Sequence, residues 1–277
     1  MGYDSAFPRA HYDLVADKEW TRLSRNRRGE LNFLVHMDVL RRHITADMDV
    51  LEIGAGAGIY TKELLHMARR LVVSDLSEVQ LALNQDHMRD LGVLDHVDEY
   101  RVLDLADMSA VEEASFDAVV CVGGPLSYLL DKESAGVRQI LRVLKPGGIA
   151  VVGVMSLINT LVLFMGMLPA EKEANGIDNL RWMLETGFQD REHSHQTEHY
   201  CHMMTSADVD ALFANKEVDV VERRAAGVLG MAGEDALNAV REDEELWALV
   251  VERELAWSKL PGTLDLGDNI VYVIRKR

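Results

Sequence analysis

The sequence contains few cysteines, and a secretory leader is not expected from its first residues. Only two cysteines, Cys121 and Cys201, occur among the 277 residues, which is too few for a framework of disulfide bonds. The N-terminal residues also lack the order of a signal peptide, in which basic residues precede an apolar segment. We therefore expect a chain that keeps its thiols reduced in the cytoplasm.

Positive charge is also scarce. Lys and Arg total 29 whereas Asp and Glu total 46, which gives a net charge of −17. Such an acidic surface repels phosphate backbones, so no nucleic-acid partner is expected. Four arginines near the N-terminus either meet an anionic substrate or form a solvated helix face, which is the commoner arrangement. They are Arg22, Arg25, Arg27 and Arg28.

Charged residues are absent from one long stretch, residues 149–168, which is long enough for a helix to cross a bilayer. The alternative is a buried strand followed by a separate buried helix. Two glycines precede a β-rich IAVVGVM run, and Ser156 and Asn159 interrupt the residues that follow, so we favour the alternative. No membrane partner is therefore expected.

No repeat or low-complexity tract is present, and strand and helix patterns alternate through the first half of the chain. The predicted strands are residues 49–53, 71–75, 97–103 and 116–122 and a fifth after Gly148, and the predicted helices are 30–44, 59–68, 78–91 and 134–144. This alternation indicates an α/β fold with a doubly wound, mostly parallel sheet. Ligands bind such sheets in a crevice at the carboxyl ends of the strands.

The second half is less regular. A helix capped by Ser206 is predicted at 206–214, strands at 218–221 and 269–274, and an acidic helical region at 234–260. We expect a single domain over 1–277, composed of an N-terminal helical cap (1–45), a cofactor-binding core (46–155), an inserted lid or substrate segment (156–204) and the C-terminal part of the sheet (205–277). A long excursion such as 156–204 is typical of a lid or binding loop.

A glycine-rich turn follows the first predicted strand. Its glycines, Gly54, Gly56 and Gly58, allow a tight turn and a close approach of the backbone to a ligand. Glu52 precedes the turn and disfavours a pyrophosphate, so a cationic ligand such as S-adenosylmethionine fits better than a dinucleotide. Asp75 ends the second strand, where a carboxylate accepts ribose hydroxyls or, alternatively, caps the next helix together with Ser77.

The ordered motifs resemble those of the class I S-adenosylmethionine-dependent methyltransferases over residues 48–155. The matching motifs are LEIGAGAG (51–58), DLS (75–77), LDL (103–105), FDAVV (116–120) and LKPGG (144–148). The family implies a seven-stranded Rossmann-like sheet whose last strand is antiparallel. At 123–125 the sequence has Gly-Gly-Pro where many members carry an acidic or asparagine motif, which is the pattern of members that act on small molecules.

The resemblance also implies roles for individual residues, with S-adenosylmethionine as cofactor and S-adenosylhomocysteine as product. Glu52 and the turn residues Gly54, Ala55, Gly56 and Gly58 would hold the methionine portion. Asp75, with Leu76 beside it, would bind the ribose, and Asp104 the adenine amino group. The backbone near Leu105 would meet the adenine, and the backbone of Val122 and Gly123 the methionine end.

Two tyrosines are candidates for contact with the ligands. Tyr128 follows the fourth strand, where it either donates to the acceptor or takes its proton, or serves as an aromatic wall. Tyr12 either folds over the cofactor or packs on the surface. Methyl transfer mostly requires alignment of nucleophile, methyl carbon and sulfur, so no dedicated catalytic motif is obligatory.

The segment 193–202 is rich in histidine. Alternation in a predicted strand would place His193, His195, His199 and Cys201 on one face, but the spacing does not resemble a closed zinc site, so no metal is expected. We favour a strand that lines the acceptor pocket, with Tyr200 and His202 in contact with the acceptor. His202 is then the predicted base, because its ordinary pKa is near neutral. An exposed polar strand is the alternative.

The leading hypothesis is methyl transfer to a small-molecule acceptor with a nitrogen, oxygen, sulfur or carbon nucleophile. A nicotinamide-dependent dehydrogenase shares the fold but should have a phosphate-friendly turn, against which Glu52 argues. A protein or RNA methyltransferase is a further alternative, and so is a module that binds the cofactor without catalysis.

Overall fold

The computed structural model describes residues 2–194, 199–214 and 216–277. Its strands are β1 (Asp49–Ile53), β2 (Arg70–Asp75), β3 (Glu99–Val102), β4 (Phe116–Cys121), β5 (Leu144–Met155), β6 (Phe188–Gln189), β7 (Cys201–His202), β8 (Val218–Ala226) and β9 (Asn269–Lys276). Seven of them form one sheet in the order β3-β2-β1-β4-β5-β9-β8, and β6 pairs with β7 separately. Strand β9 is antiparallel to both of its neighbours, whereas the pairs from β3 to β5 are parallel. The predicted doubly wound sheet with an antiparallel last strand is confirmed.

Helices cover both faces of this sheet. They are α1 (Ala6–Val15), α2 (Arg27–His43), α3 (Thr61–Leu64), α4 (Glu78–Asp90), α5 (Glu133–Val143), α6 (Leu157–Phe164), α7 (Leu168–Asn175), α8 (Ile177–Thr186), α9 (Ser206–Phe213), α10 (Glu234–Arg241) and α11 (Glu244–Trp257). Side chains of α5 and α9 join one apolar cluster with alternate strand residues, and those of α2 and α4 join the cluster on the opposite face. Because both faces are covered, the central strands are apolar almost throughout.

Several boundaries differ from the sequence-based prediction, and local hydrogen bonds explain why. The helix predicted at 59–68 is reduced to α3, because the N–H groups of His66 and Met67 bond at three-residue spacing. Thr205, rather than Ser206, caps α9 in a capping box with Asp208. The acidic region predicted at 234–260 is divided between α10 and α11, since Asp243 accepts N–H bonds that start a new helix.

The uncharged stretch is divided between a strand and a helix, as predicted. Ser156 separates β5 from α6, and its hydroxyl donates to the carbonyl oxygen of Asp265 at 2.8 Å. Helix α6 is not buried as expected, because Val162 and Phe164 are 42% and 51% exposed. Within the residues described, none of the helices has both the length and the apolarity needed to cross a membrane.

The C-terminal helices are fastened to the sheet by buried charges. Glu254 of α11 accepts hydrogen bonds from the N–H groups of Gly227, Val228 and Leu229 at 2.8–2.9 Å, just beyond the end of β8. Arg224 of β8 is fully buried, and its Nη1 donates to a carboxylate oxygen of Asp38 in α2. These charged contacts explain why β8 continues past the predicted end at 221, through a polar stretch that had no apolar signal.

Replacement of Glu254 by Ala should lower the free energy of unfolding by about 3 kcal/mol, because three N–H groups lose their buried acceptor. Urea denaturation followed by circular dichroism measures the change. The exposed neighbour Glu252 is the control, and Glu252→Ala should alter stability by less than about 0.5 kcal/mol. Equal effects of the two variants would contradict the anchoring role.

Candidate active site

A first cavity lies at the carboxyl ends of β1, β2 and β4, where the crevice was predicted. Its empty volume is about 900 Å³, including the opening to solvent. The wall contains the glycine-rich turn, the ends of β2 and β4 and part of α1, and its residues include Tyr3, Tyr12, Arg22, Gly54, Ala55, Gly56, Asp75, Leu76, Leu103, Leu105, Val122, Gly123 and Tyr128. The topology therefore brings most of the predicted cofactor residues to one cavity.

Gly54 cannot carry a side chain in this turn. Its φ is +69°, and a Cβ atom would lie 2.3 Å from Cγ of Pro125, which belongs to the loop after β4. The absence of side chains at Gly54 and Gly56 exposes the backbone to the cavity. Gly58 also has a positive φ of 103°, but it is not part of the wall and packs against Asn84 of α4 instead.

Asp75 lies on the cavity wall and also accepts hydrogen bonds from the backbone around it. Its Oδ1 accepts the N–H of Ser77 and its Oδ2 accepts the N–H of Gly56, both at 2.8 Å, and burial raises its pKa. Ser77 caps α4, as predicted, by accepting the N–H of Gln80. The carboxylate still lines the cavity, and each of its oxygens has a further lone pair for a ligand hydroxyl.

Glu52 does not reach the cavity wall, contrary to the expectation of direct contact with a cofactor. The side chain is 2% exposed and lies beneath the turn, where its Oε2 accepts the hydroxyl of Thr61 at 2.7 Å. Burial raises the pKa of this carboxyl to about 8. Strand alternation is the reason, because Glu52 points to the sheet face opposite to that of its neighbours Leu51 and Ile53.

Asp104 also does not line the first cavity. Its Oδ1 accepts the hydroxyl of Tyr3 at 2.9 Å and the N–H of Ala106 at 2.8 Å, while Leu103 and Leu105 on either side line the cavity. Of the two carboxylate oxygens, Oδ1 is therefore the one engaged by Tyr3 and Ala106. The N-terminal segment thus covers the residue to which the resemblance gave the adenine contact.

A second, larger cavity adjoins the first, with an empty volume of about 1640 Å³ including its opening. Helices α6, α7 and α8 supply a mostly apolar wall, and polar side chains of α2 and of the loop before β9 form the other end. The lining includes Leu157, Leu161, Phe164, Met167, Leu180, Met183, Leu184, Met203, Arg28, Asn32, Asp268 and Asn269. The excursion predicted as a lid or substrate segment supplies the apolar part.

The two cavities meet at a small group of shared residues. Among the described residues, those that line both are Tyr12, Glu19, Arg22, Gly123 and Tyr128. Arg22 donates from Nε to Glu19 at 2.8 Å, and its Nη2 lies near the open side of Gly123. The basic run around this arginine predicts a solvated helix face, whereas the structure places Arg22 on both cavity walls.

A chain of hydrogen bonds crosses the meeting point. The hydroxyl of Tyr12 donates to that of Tyr128 at 2.8 Å, and the Tyr128 oxygen lies 2.8 Å from Nε2 of His199. Burial, assisted by the adjacent His11, lowers the pKa of His199 to about 4, and burial raises the pKa of both tyrosines. At neutral pH the imidazole is therefore uncharged, and its Nε2 can accept a hydrogen bond from Tyr128 when Nδ1 carries the ring proton. His199 was one of four histidines in a cluster, and no local signal distinguished it.

The residues predicted to contact the acceptor lie elsewhere. His202 is buried, stacks on Phe188 with ring centroids 3.8 Å apart, and its Nδ1 lies 2.6 Å from Oε1 of Glu133. Tyr200 packs edge-on against Phe7. Neither residue lines either cavity, so the expected acceptor contacts of Tyr200 and His202 are corrected.

The predicted histidine-rich strand is also shorter than expected. Only Cys201 and His202 are in strand conformation, while His193 lies in a turn where Trp182 stacks on its ring. His195 falls outside the described residues. The alternation proposed for this segment is therefore wrong in the part that the structure describes. In that part, no group of three or more His, Cys, Asp or Glu side chains is placed to hold a metal ion.

Comparison with known proteins adds independent evidence. Residues 50–148 match the family model described as "Methyltransferase domain". A ubiquinone biosynthesis O-methyltransferase of Chromobacterium violaceum is 32% identical over 120 residues, 43% of this chain and 49% of that protein. A ubiquinone/menaquinone biosynthesis C-methyltransferase of Pseudomonas fluorescens is 35% identical over 108 residues, 38% of this chain and 41% of that protein. The chain thus spans about half the length, or less, of these curated relatives.

The fold is also that of solved methyltransferases. The N-methyltransferase NodS from Bradyrhizobium japonicum, determined in complex with S-adenosylhomocysteine, superposes with a TM-score of 0.55 at 18% identity and covers 99% of both chains. At this identity the likeness shows the fold alone. The family match over residues 50–148 and the curated relatives together confirm the resemblance of this stretch to the class I S-adenosylmethionine-dependent methyltransferases.

The buried carboxyl of Glu52 should make stability depend on pH. Its pKa of about 8 in the folded protein exceeds the value in an unfolded chain, so the folded state holds an extra proton between the two values. The free energy of unfolding should therefore fall as the pH rises through this window. Glu52→Gln removes this contribution. As the pH rises near neutrality, the free energy of unfolding of the variant should therefore increase relative to that of the unaltered protein by about 1 kcal/mol per pH unit. Denaturation at several pH values measures this gain, and parallel stability curves would contradict the assignment.

Proposed function

We propose that this protein transfers the methyl group of S-adenosylmethionine to a small-molecule acceptor by in-line displacement. The observation that carries the proposal is the meeting of two cavities at Tyr12, Gly123 and Tyr128. One cavity has the predicted cofactor residues, and the other offers a separate, mostly apolar space. Such an arrangement holds a nucleophile and a methyl donor in line and away from water.

The residues of the first cavity fit this cofactor. Asp75 supplies an acceptor for the ribose hydroxyls, and Leu103 and Leu105 supply apolar surface for the adenine. Arg22 is suited to the methionine carboxylate, because its Nη groups make no hydrogen bond within the described part of the chain. When bound, the cofactor supplies a methyl group that its positively charged sulfur has already activated.

Tyr128 is the residue we assign to proton removal from the acceptor. It lines both cavities, and its hydroxyl is bonded to the uncharged imidazole of His199. As the Tyr128 oxygen takes the acceptor proton, its own proton passes to Nε2 of His199, so the tyrosine remains neutral throughout. His202, the base predicted from the sequence, is engaged with Glu133 and has no access to either cavity.

The remaining features of the proposal concern the whole chain. Residues 1–277 would act as one methyltransferase domain, in which α6–α8 of segment 156–204 close over the acceptor. The O- and C-methyltransferases of ubiquinone biosynthesis among the relatives are compatible with an acceptor as apolar as this wall. The acidic net charge favours a partner other than nucleic acid. The two free, buried cysteines suit a cytoplasmic location.

Asp75→Ala should weaken binding of S-adenosylhomocysteine by at least about tenfold, because the loss removes charged hydrogen bonds to the ribose. Isothermal titration calorimetry measures the dissociation constant, and circular dichroism verifies the fold. Asp90→Ala, at an exposed position in the same helix that follows Asp75, is the matched control and should bind normally. Unchanged affinity of Asp75→Ala, or tighter binding of NAD than of S-adenosylhomocysteine by the unaltered protein, would contradict the proposal.

Tyr128→Phe should reduce turnover by about 100-fold or more while the affinity for S-adenosylhomocysteine changes little. Transfer of labelled methyl groups into a small-molecule extract measures turnover. The acidic limb of the pH–rate profile should lie near the lowered pKa of His199, about 4, rather than near neutrality. Tyr200→Phe, which lines neither cavity, is the control.

His202→Gln discriminates between the two candidate bases. We expect turnover close to that of the unaltered protein, because the ring of His202 faces Glu133 and Phe188. If His202→Gln abolishes turnover and Tyr128→Phe does not, the base predicted from the sequence is restored. If neither change matters, alignment alone carries the reaction.

A further inference from the structure

The polar end of the second cavity contains an arginine whose outer nitrogens are unengaged. Arg28 donates from Nε to both carboxylate oxygens of Asp268 at 2.9 Å. Its two Nη groups make no hydrogen bond to any residue that the structure describes, and the side chain lines the cavity. A guanidinium that is held by Nε and open at both Nη atoms can bind one further carboxylate in the two-pronged manner that arginine favours.

The polar groups next to Arg28 are mostly engaged with one another, so few of them are available to its Nη atoms. Asp268 already accepts from Arg28, and burial raises its pKa to about 6. Asn32 donates to Asn269 at 3.0 Å, so these two amides are engaged with each other. Oδ1 of Asn32 has no hydrogen-bond partner but is enclosed by the protein. The unused capacity that a ligand can reach at this end is therefore that of the Arg28 donors, which favours an anionic ligand group over a cationic one.

The other end of the cavity is apolar and opens to the surface. Leu161, Leu180 and Met183 line the interior, and Phe164 and Met167 line the opening while being 51% and 52% exposed. Apolar contact is thus continuous from the interior to the outside of the protein. The hydrocarbon part of a bound ligand can therefore extend through this opening while it remains in contact with apolar side chains.

The sheet fixes the distance between the polar end and the site of methyl transfer. Gly123 follows β4, and Asp268 immediately precedes β9, with β5 between them. Neighbouring strands are about 4.8 Å apart, so the two positions are separated by roughly 10 Å. Arg28, which is held by Asp268, and Tyr128, which follows Gly123 in the loop after β4, belong to these two ends and can bind different groups of one molecule.

We propose that the acceptor is an amphipathic acid: a mostly hydrocarbon molecule whose single carboxylate, or similar anionic group, binds Arg28 while a separate nucleophile faces Tyr128. This inference rests on the proposed function and adds the chemical class of the acceptor. The hydrocarbon part occupies the space between α6 and α8 and reaches the opening at Phe164. The acid is bound through its charge, and the methyl group is transferred to the other group.

Three probes with the same chain and different head groups test the proposal: decanoate, decan-1-ol and decylammonium. Calorimetry is performed on the full chain with S-adenosylhomocysteine present, so that the first cavity is filled. Decanoate should bind at least about tenfold more tightly than decan-1-ol, and decylammonium should bind most weakly. Arg28→Gln should remove the advantage of decanoate and leave decan-1-ol unchanged, whereas Arg28→Lys should retain part of it.

Arg25→Gln is the matched control, because Arg25 belongs to the same basic run but is exposed and lines neither cavity. It should leave all three affinities unchanged. Equal binding of decanoate and decan-1-ol, preference for decylammonium, or no binding of decanoate at millimolar concentration would each overturn the inference. If Arg28→Gln fails to fold, the order of the three probes on the unaltered protein decides alone. Failure to bind S-adenosylhomocysteine would instead refute the proposed function, so the two failures are distinguishable.

Discussion

The site depends on one constraint, which is that helices cover both faces of the parallel sheet. Once helices cover each face, the only place where ligands meet the sheet is the edge formed by the carboxyl ends of the strands. The glycine-rich turn after β1 and the Gly-Gly-Pro loop after β4 must then share this edge. They approach so closely that Gly54 has no room for a Cβ atom beside Pro125. This contact brings the floor of the first cavity and the loop carrying Tyr128 into a fixed relation.

The N-terminal segment supplies the part of the cavity wall that the sheet and its loops do not provide. Tyr3, Tyr12 and Arg22 all reach the first cavity from residues that contribute nothing to the sheet itself, and Tyr12 is held there because its carbonyl accepts from Gln80 of α4. Through Tyr12 and Arg22 the same segment also borders the second cavity. The side chains of Tyr12 and Arg22 thus form part of the boundary at which the two cavities meet.

The electrostatics of the site follow from unequal burial. Glu52 is enclosed beneath the turn and its pKa is raised to about 8, whereas Asp75 is held on the wall by two N–H groups. His199 is kept uncharged by burial and by His11, which makes it an acceptor for Tyr128 rather than a partner for an acid. His202 differs, since its Nδ1 faces the carboxylate of Glu133. Two histidines only three positions apart therefore have different partners because different elements pack against them.

The resemblance to the methyltransferase family implied the antiparallel last strand, whereas the sequence by itself determined the strand–helix alternation, the position of the glycine turn and Asp75 as the acid after β2. These features depend on local periodicity and on turn chemistry, which neighbouring residues record. Tertiary structure alone decided that Glu52 and Asp104 do not line the first cavity, whereas Arg22 and Arg28 line cavities. It also decided that His199, rather than His202, contacts Tyr128. The physical reason is that each of these positions depends on contacts between segments distant in the chain, where no local pattern specifies which side chain is enclosed and which faces open space.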